Sequence, residues 1–352
     1  MIWFVLGIIL LIVADRVLTP KLLCSVTYRA RIDCIMAEPK ETVTLESTVE
    51  NHGRLPIPFV RLQVQLPIEA VITDDACRSH NRDSVIYRNI EERFSLRSHH
   101  SVKKKLSFCI MRRGCYDIGK YQLSVGDFFG LREESSFGNG QELVIIPSRT
   151  DSAPAIQALA GFLGDISVRR FIMDDPILTV GFRDYTGREP LKNISWTRTA
   201  MTGALQVKEF DRTAEQNVTV LLNVSGGTEK QIEECFCLTR TVCEQLEQHK
   251  IPYGLRTNGY LPCETGTLFK LSEGLGHNHL STILYALGSA NYTCFFSLSS
   301  LVRQSLLARK HNDAFIVITP DPDENARLVL EQLKSASMNP ICVLIGKEDS
   351  NE

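Results

Sequence analysis

Neither charge is in excess in this sequence: 39 Lys and Arg face 41 Asp and Glu, for a formal net charge of −2. A chain so balanced lacks the electrostatic footprint of a nucleic-acid binder. Its 11 cysteines show no zinc spacing; Cys235 and Cys237 form an isolated C-x-C and the others are scattered singly. An odd, scattered set suits a reducing compartment better than a disulfide framework. The G-x-x-x-x-G-K-[ST] phosphate loop is missing, and no G-x-G-x-x-G follows a strand pattern, which argues against nucleotide and dinucleotide sites. Ser225 lies in V-S-G-G, without the preceding Gly of a nucleophile elbow. His277 and His279 have no second ligand pair at zinc spacing and read as a polar loop, while Asp174 and Asp175 before Pro176 read as a solvated turn. With no nucleophile and base in evidence, the expectation is a protein that is not an enzyme.

What is present begins with an apolar run. Met1 to Ala14 carries no charge, and Asp15 and Arg16 then precede Val17, Leu18 and Pro20. A full span needs about 20 apolar residues, so the run suffices only if Asp15 and Arg16 sit at a headgroup boundary. No cationic stretch precedes it and no small-residue cleavage site follows it, as a signal peptide would require. A single-pass membrane anchor over 1–23 is the expectation, with a helix lying in the interface as the alternative. Arg16, Lys21, Arg29 and Arg31 all follow the run, which puts the body of the protein on the cytoplasmic side of the cell membrane.

The remaining chain is long enough for two or three domains, and 43% hydrophobic with 23% charged residues is a globular composition. Over 24–150 the period is two. In "FVRLQVQLP" the apolar residues are Val60, Leu62, Val64 and Leu66, and similar runs recur in "ETVTLESTVEN", "RFSLRS", "KKLSFCIMRRG", "YQLSVGDFFGL" and "ELVIIP". This predicts a small antiparallel sandwich. "SSFGNGQ" predicts a hairpin turning at Asn139-Gly140.

After Pro147 the pattern changes. Over 151–212 lies a connecting segment, and its part from 179 on mixes aromatics with both charges and is neither clean strand nor clean helix. Over 213–352 wholly apolar strands ("NVTVLLNVSGG", "DAFIVITPD", "PICVLIG") alternate with amphipathic helices. Thr228 is placed as a helix N-cap, Glu229 in the first turn and Lys250 at the end. Such alternation predicts a mostly parallel sheet covered on both faces, with any ligand at the carboxyl ends of its strands. Asn223, Ser225 and Asp321 fall at such ends. They have the oxygen chemistry for a divalent cation such as Mg²⁺; equally, Ser225 and Asp321 suit the caps of the helices that follow.

Three stretches carry a resemblance to a known family. "VENHGRLPIPFVRLQVQLP" (49–67) looks like a long β-hairpin, "RRGCYDIGKYQLSVGDFFGL" (112–131) ends in an aspartate-x-phenylalanine-glycine-leucine pattern, and "FRDYTGREPLKNISWTRTAMTGALQVKEF" (182–210) is the most specific. In the last, Arg183, Tyr185, Gly187, Ile194, Trp196, Leu205, Val207 and Phe210 fall on the pattern. The chain thereby resembles the bacterial membrane-anchored family of unknown function associated with MoxR-type AAA ATPases. That resemblance implies an immunoglobulin-like β domain followed by a von Willebrand factor A-like α/β domain. It also implies a non-enzymatic accessory protein acting with the cytosolic ATPase in chaperone-like assembly, with no cofactor. Arg188 follows Gly187 where relatives are acidic, Lys192 stands for an arginine, and Asn223 stands where relatives often carry a metal-site aspartate. Arg183, Tyr185, Gly187, Arg188 and Trp196 are the implied contact residues, and Tyr185 and Trp196 could instead seal a domain junction.

Overall fold

The computed structural model describes residues 23–73, 87–126, 133–150, 152–172, 175–187, 189–211, 217–260, 270–307, 314–320, 322, 324–336 and 341–346. The apolar run of the first 22 residues therefore lies outside the described residues; among those described, no helix is long and apolar enough to cross a membrane. The chain forms two compact units, Met1–Ser148 and Arg149–Glu352.

The first unit is a β-sandwich. One sheet has the order β1 (Val26–Ile32), β3 (Thr42–Asn51), β7 (Ser101–Ile110), β5 (Ala70–Ile72), and a second has β10 (Glu133–Gly138), β9 (Lys120–Gly126), β4 (Ile57–Pro67), β6 (Tyr87–Leu96). A small third sheet joins β2 (Met36–Ala37), β11 (Gln141–Ile145) and β8 (Gly114–Ile118). The period-two pattern has a direct outcome: Val43, Leu45 and Val49 from one sheet meet Val60, Leu62, Val64 and Leu66 from the other in a single core.

Both expected hairpins are corrected. β3 and β4 are consecutive but belong to opposite sheets, so 49–67 is an arch between layers. β10 pairs with β9, and β11 pairs with β8 and β2, so Asn139-Gly140 is a crossing between sheets and not a tight turn. Gly140 is needed there for closeness: a Cβ would lie 2.1 Å from Asp117 Oδ1 and 2.6 Å from the Ile118 carbonyl oxygen. An alternating pattern tells a strand which face to bury; it does not name the strand's partner. The free edge of β1 is closed by a side chain: the Gln141 amide donates to Ala30 O (2.9 Å), and its oxygen accepts from Ile32 N–H (3.0 Å).

The second unit is an α/β layer structure. Its sheet has the order β16 (Lys270–Gly274), β15 (Tyr253–Thr257), β14 (Val218–Leu222), β17 (Ala314–Pro320), β18 (Ile341–Gly346). All neighbours are parallel except the edge strand β16, which runs antiparallel to β15. Both faces are covered, as the apolar strands require. Val218, Val220, Leu222, Ile316 and Ile318 pack with α1 (Ala153–Ile172), α3 (Glu229–Gln248) and α4 (His277–Ser289). Leu221, Phe315 and Val317 pack with α5 (Leu298–Leu307) and α6 (Glu324–Ala336). Thr228 caps α3 in a reciprocal box with Gln231, His249 is the C-cap, and Lys250 beyond it takes a left-handed φ of 53°.

Other local expectations change. His277 and His279 stand in the first turn of α4 and not in a loop; His279 Nε2 lies 2.9 Å from Tyr253 O. Asp175 begins β12 (Asp175–Asp184), which pairs antiparallel with β13 (Gln206–Asp211), while Asp174 lies outside the described residues. Between these strands come a short 3-10 turn (Leu191–Asn193) and α2 (Trp196–Thr202), so the segment that looked irregular is an ordered ribbon with a helix.

Candidate functional site

The carboxyl end of β14 is tied to both neighbours by one amide. Asn223 is 2% exposed. Its Oδ1 accepts from Ser225 N–H (3.1 Å), Ser225 Oγ (2.7 Å) and Asn258 Nδ2 (2.6 Å). Its Nδ2 donates to Thr319 Oγ1 (3.0 Å) and Ser225 O (3.2 Å). A backbone N–H can only donate, which fixes the orientation of the amide. Asn258, just past β15, is fixed in the same way, because its Oδ1 accepts from Val224 N–H at 2.9 Å. Asn223, Asn258 and Thr319 thus clasp the ends of β14, β15 and β17.

This arrangement bears on cation chemistry. The Asn223 oxygen already serves three donors, and the Ser225 hydroxyl donates to it while accepting from Asn258 Nδ2 (3.3 Å). Both oxygens are thus already engaged in hydrogen bonds within the clasp. Asp321 lies outside the described residues. Gly227 is set by packing: a Cβ there would fall 2.4 Å from Pro320 Cβ, leaving no room for a serine. Gly226 has φ +82°, a left-handed conformation suited to glycine, and lets the chain turn into α3. A cleft of about 510 Å³ opens here, lined among others by Ser225, Ser297, Ser299, Thr319 and Asn325. Sequence reasoning singled out Asn223 and Ser225 but missed Asn258, whose only signal was its place at the end of a short strand. Among the described residues no group of His, Cys, Asp and Glu could hold a metal.

The second candidate is the ribbon carrying the 182–210 segment. Its turn is stapled by a carboxylate. Glu189 Oε1 accepts from the Thr186 hydroxyl (2.7 Å) and from Arg183 Nη1 (2.6 Å), and Oε2 accepts from Thr186 N–H (3.1 Å). The Thr186 hydroxyl, with the Arg183 guanidinium, brings the Glu189 carboxyl down to about 2. Gly187 takes φ +89° inside this turn, a geometry that suits glycine. Tyr185 N–H donates to Leu205 O, and the Gln206 side chain donates to Asp184 Oδ1. Ile194 bridges to Val207, and both are buried. Arg183 and Tyr185 are therefore built into the ribbon, and Arg188 lies outside the described residues. Glu189, two residues past the glycine, is the carboxylate of this turn that sequence reasoning missed.

The apolar side chains of this ribbon are turned out. Trp196 is 67% exposed and Met201 on the same helix 74% exposed, with Leu191, Phe182 and Leu205 also exposed. The Arg198 guanidinium carbon lies 5.1 Å from the centre of the Phe182 ring. Trp196 is thus a surface residue of its unit.

No protein-family profile and no curated protein matches the chain. Among solved structures it is similar, at 10% identity and a TM-score of 0.23, to a cohesin module from Clostridium perfringens, covering 34% of this chain and 96% of that one. It is also similar to a CARDB domain from Pyrococcus furiosus, at 14% identity and a TM-score of 0.21, covering 35% of this chain and 86% of that one. A third is the cupredoxin domain of amoB from Nitrosocaldus yellowstonii, at 9% identity and a TM-score of 0.22, covering 34% of this chain and 86% of that one. These likenesses are too slight to carry an argument; the class of the chain, a β-sandwich unit followed by an α/β unit with a mixed sheet, rests on its own strand orders.

Proposed function

We propose that the chain is a membrane-anchored, non-enzymatic accessory protein of the MoxR-associated family, working with a cytosolic MoxR-type AAA ATPase in chaperone-like assembly or maturation of protein complexes. The observation that carries this reading is the exposed apolar surface of the 182–210 ribbon, centred on Trp196 and Met201. Trp is over-represented among the residues that dominate interface energies. The strand order supports the domain assignment: β14 is central, and the one antiparallel strand sits at the edge beside β15, as in a von Willebrand factor A-like sheet. The two-layer antiparallel sandwich is consistent with an immunoglobulin-like first domain.

In this reading the body is cytoplasmic and the first 23 residues form the anchor. Binding is metal-independent in this reading, because the Asn223 oxygen at the tip already accepts three hydrogen bonds. A divalent-cation site at Asn223, Ser225 and Asp321 is the other reading, and the engaged Asn223 oxygen counts against it. The test is co-purification with a MoxR-type AAA ATPase. Trp196→Ala with Met201→Ala should lower affinity by roughly thirtyfold or more, since truncating an interface anchor costs about 2 kcal/mol. Arg183→Ala acts only through the turn and should weaken binding less. Undiminished binding by the Trp196/Met201 variant would remove this surface from the interface.

A further inference from the structure

One end of the β-sandwich gathers positive charge where the chain arrives from its apolar N-terminal run. β1 begins at Val26, opposite the last residue of β3, Asn51; β7 begins at Ser101, opposite Glu50. In the other sheet Ile57, at the start of β4, faces Leu96, at the end of β6. Residues 23–25 and the loops 52–56 and 97–100 therefore share this end. Exposed Arg54, Arg97, His99 and His100 lie on the two loops, and exposed Leu55 stands between Arg54 and Pro56. The outer sheet face continues the charge, since Arg29, Thr48 and Lys103 form one cross-strand row. Among the described residues, the acids near this end include Glu50, whose Oε2 is 3.5 Å from His52 Nε2, and Glu133, which lies opposite Gly126 beside the start of β4 and is paired with Arg61 at 2.8 Å.

The loops are held rigidly by buried Asn51. Its Nδ2 donates to Leu55 O (2.9 Å) and Arg97 O (3.1 Å), and its Oδ1 accepts from Gly53 N–H (2.9 Å) and Ser25 Oγ (3.3 Å). One amide thus joins the arriving chain to both cationic loops. Among the described residues, no carboxylate pairs with Arg54, Arg97 or Lys103.

We infer that this end of the sandwich is a docking surface for an anionic lipid bilayer, with Arg54 and Arg97 against the headgroups and Leu55 at the interface. The inference rests on the reading of residues 1–23 as a membrane anchor: an anchor that ends a few residues before Val26 delivers this end of the fold to the membrane surface first. A bilayer matches the charge, and each surface cation adds about fivefold to partitioning onto an anionic leaflet. The contact is screened by salt.

The experiment uses the full-length chain on vesicles of phosphatidylcholine with and without phosphatidylglycerol, read by flotation and by hydrogen exchange of the bound protein. Amides of 52–55 and 97–100 should gain protection when phosphatidylglycerol is present, and lose it at high salt and in Arg54→Glu/Arg97→Glu. The double variant should melt like the wild type, because both side chains are exposed. Equal exchange on neutral and anionic vesicles, or protection unaffected by the charge reversals, overturns the inference. Failure of the wild type to float with neutral vesicles counts against the anchor alone; the phosphatidylglycerol vesicles still read the loops in that case.

Discussion

An aspartate at position 223 would bring two acceptor oxygens and no donor to a point where Thr319 Oγ1 and the Ser225 carbonyl now receive N–H groups. It would also place a charge where the native residue is 2% exposed. Asn223→Asp should therefore destabilise the second unit by about 1–3 kcal/mol, the usual cost of leaving buried partners unsatisfied. Equilibrium denaturation of the variant checks this, and an unchanged midpoint would mean that the clasp contributes little. The same residue bears on the cation question: wild-type melting temperature should not move with added Mg²⁺, since the oxygen that would bind it already accepts three hydrogen bonds. The sequence alone shows an Asn at a strand end and nothing more. Its partners, Asn258 and Thr319, stand 35 and 96 residues away along the chain, and only the parallel order of β14, β15 and β17 brings them together.

The ribbon turn from Arg183 to Glu189 depends on one carboxylate. The Glu189 pKa is depressed from 4.5 to about 2 in the folded protein. A depressed acid pKa adds stability that is complete above the unfolded value and is lost as pH falls through the folded value. The turn should therefore stay closed at pH 5 and open as the pH approaches 2. The carboxyl shift of Glu189, followed by NMR, should titrate near 2; a midpoint near 4.5 would show that the staple does not form in solution. Elements of this kind also show where sequence reading runs out. The period-two strands and the capped helix α3 were legible because each pattern is local. The partners of β3, β4, β10 and β11 were not, because alternation is satisfied equally by either sheet. α1 escaped notice although Leu159, Phe162, Leu163 and Ile166 mark a buried stripe, because Gly161 and Gly164 interrupt the helical composition. α2 and its flanking strands were obscured by outward aromatics, the feature on which the proposed interaction rests.

At the scale of the whole molecule the thiols divide by environment. Cys24 and Cys294 are exposed, whereas Cys109, Cys235, Cys243 and Cys342 are buried. Burial pushes the Cys235 thiol up to about 12 and Cys342 up to about 11, and it raises Cys243 as well. Cys115 is an intermediate case. The residue is exposed, yet its sulfur is partly desolvated and donates to Glu142 Oε1 (2.8 Å), and it too is raised to about 12. Alkylation of the native protein at pH 8, resolved by peptide mass spectrometry, should modify Cys24 and Cys294 first, Cys115 slowly, and buried Cys109, Cys235, Cys243 and Cys342 only after denaturation. Rapid modification of Cys243 in the native state would contradict the packing of α3 on the sheet.

The Gln141 amide that takes up Ala30 O and Ile32 N–H has a meaning for how copies of this protein meet. A sandwich whose first strand offered bare peptide groups could recruit the same strand from another copy. Here a side chain mimics the missing strand for one residue pair, at the carboxyl end of β1. Those two peptide groups are thereby withheld from edge-to-edge pairing with another copy.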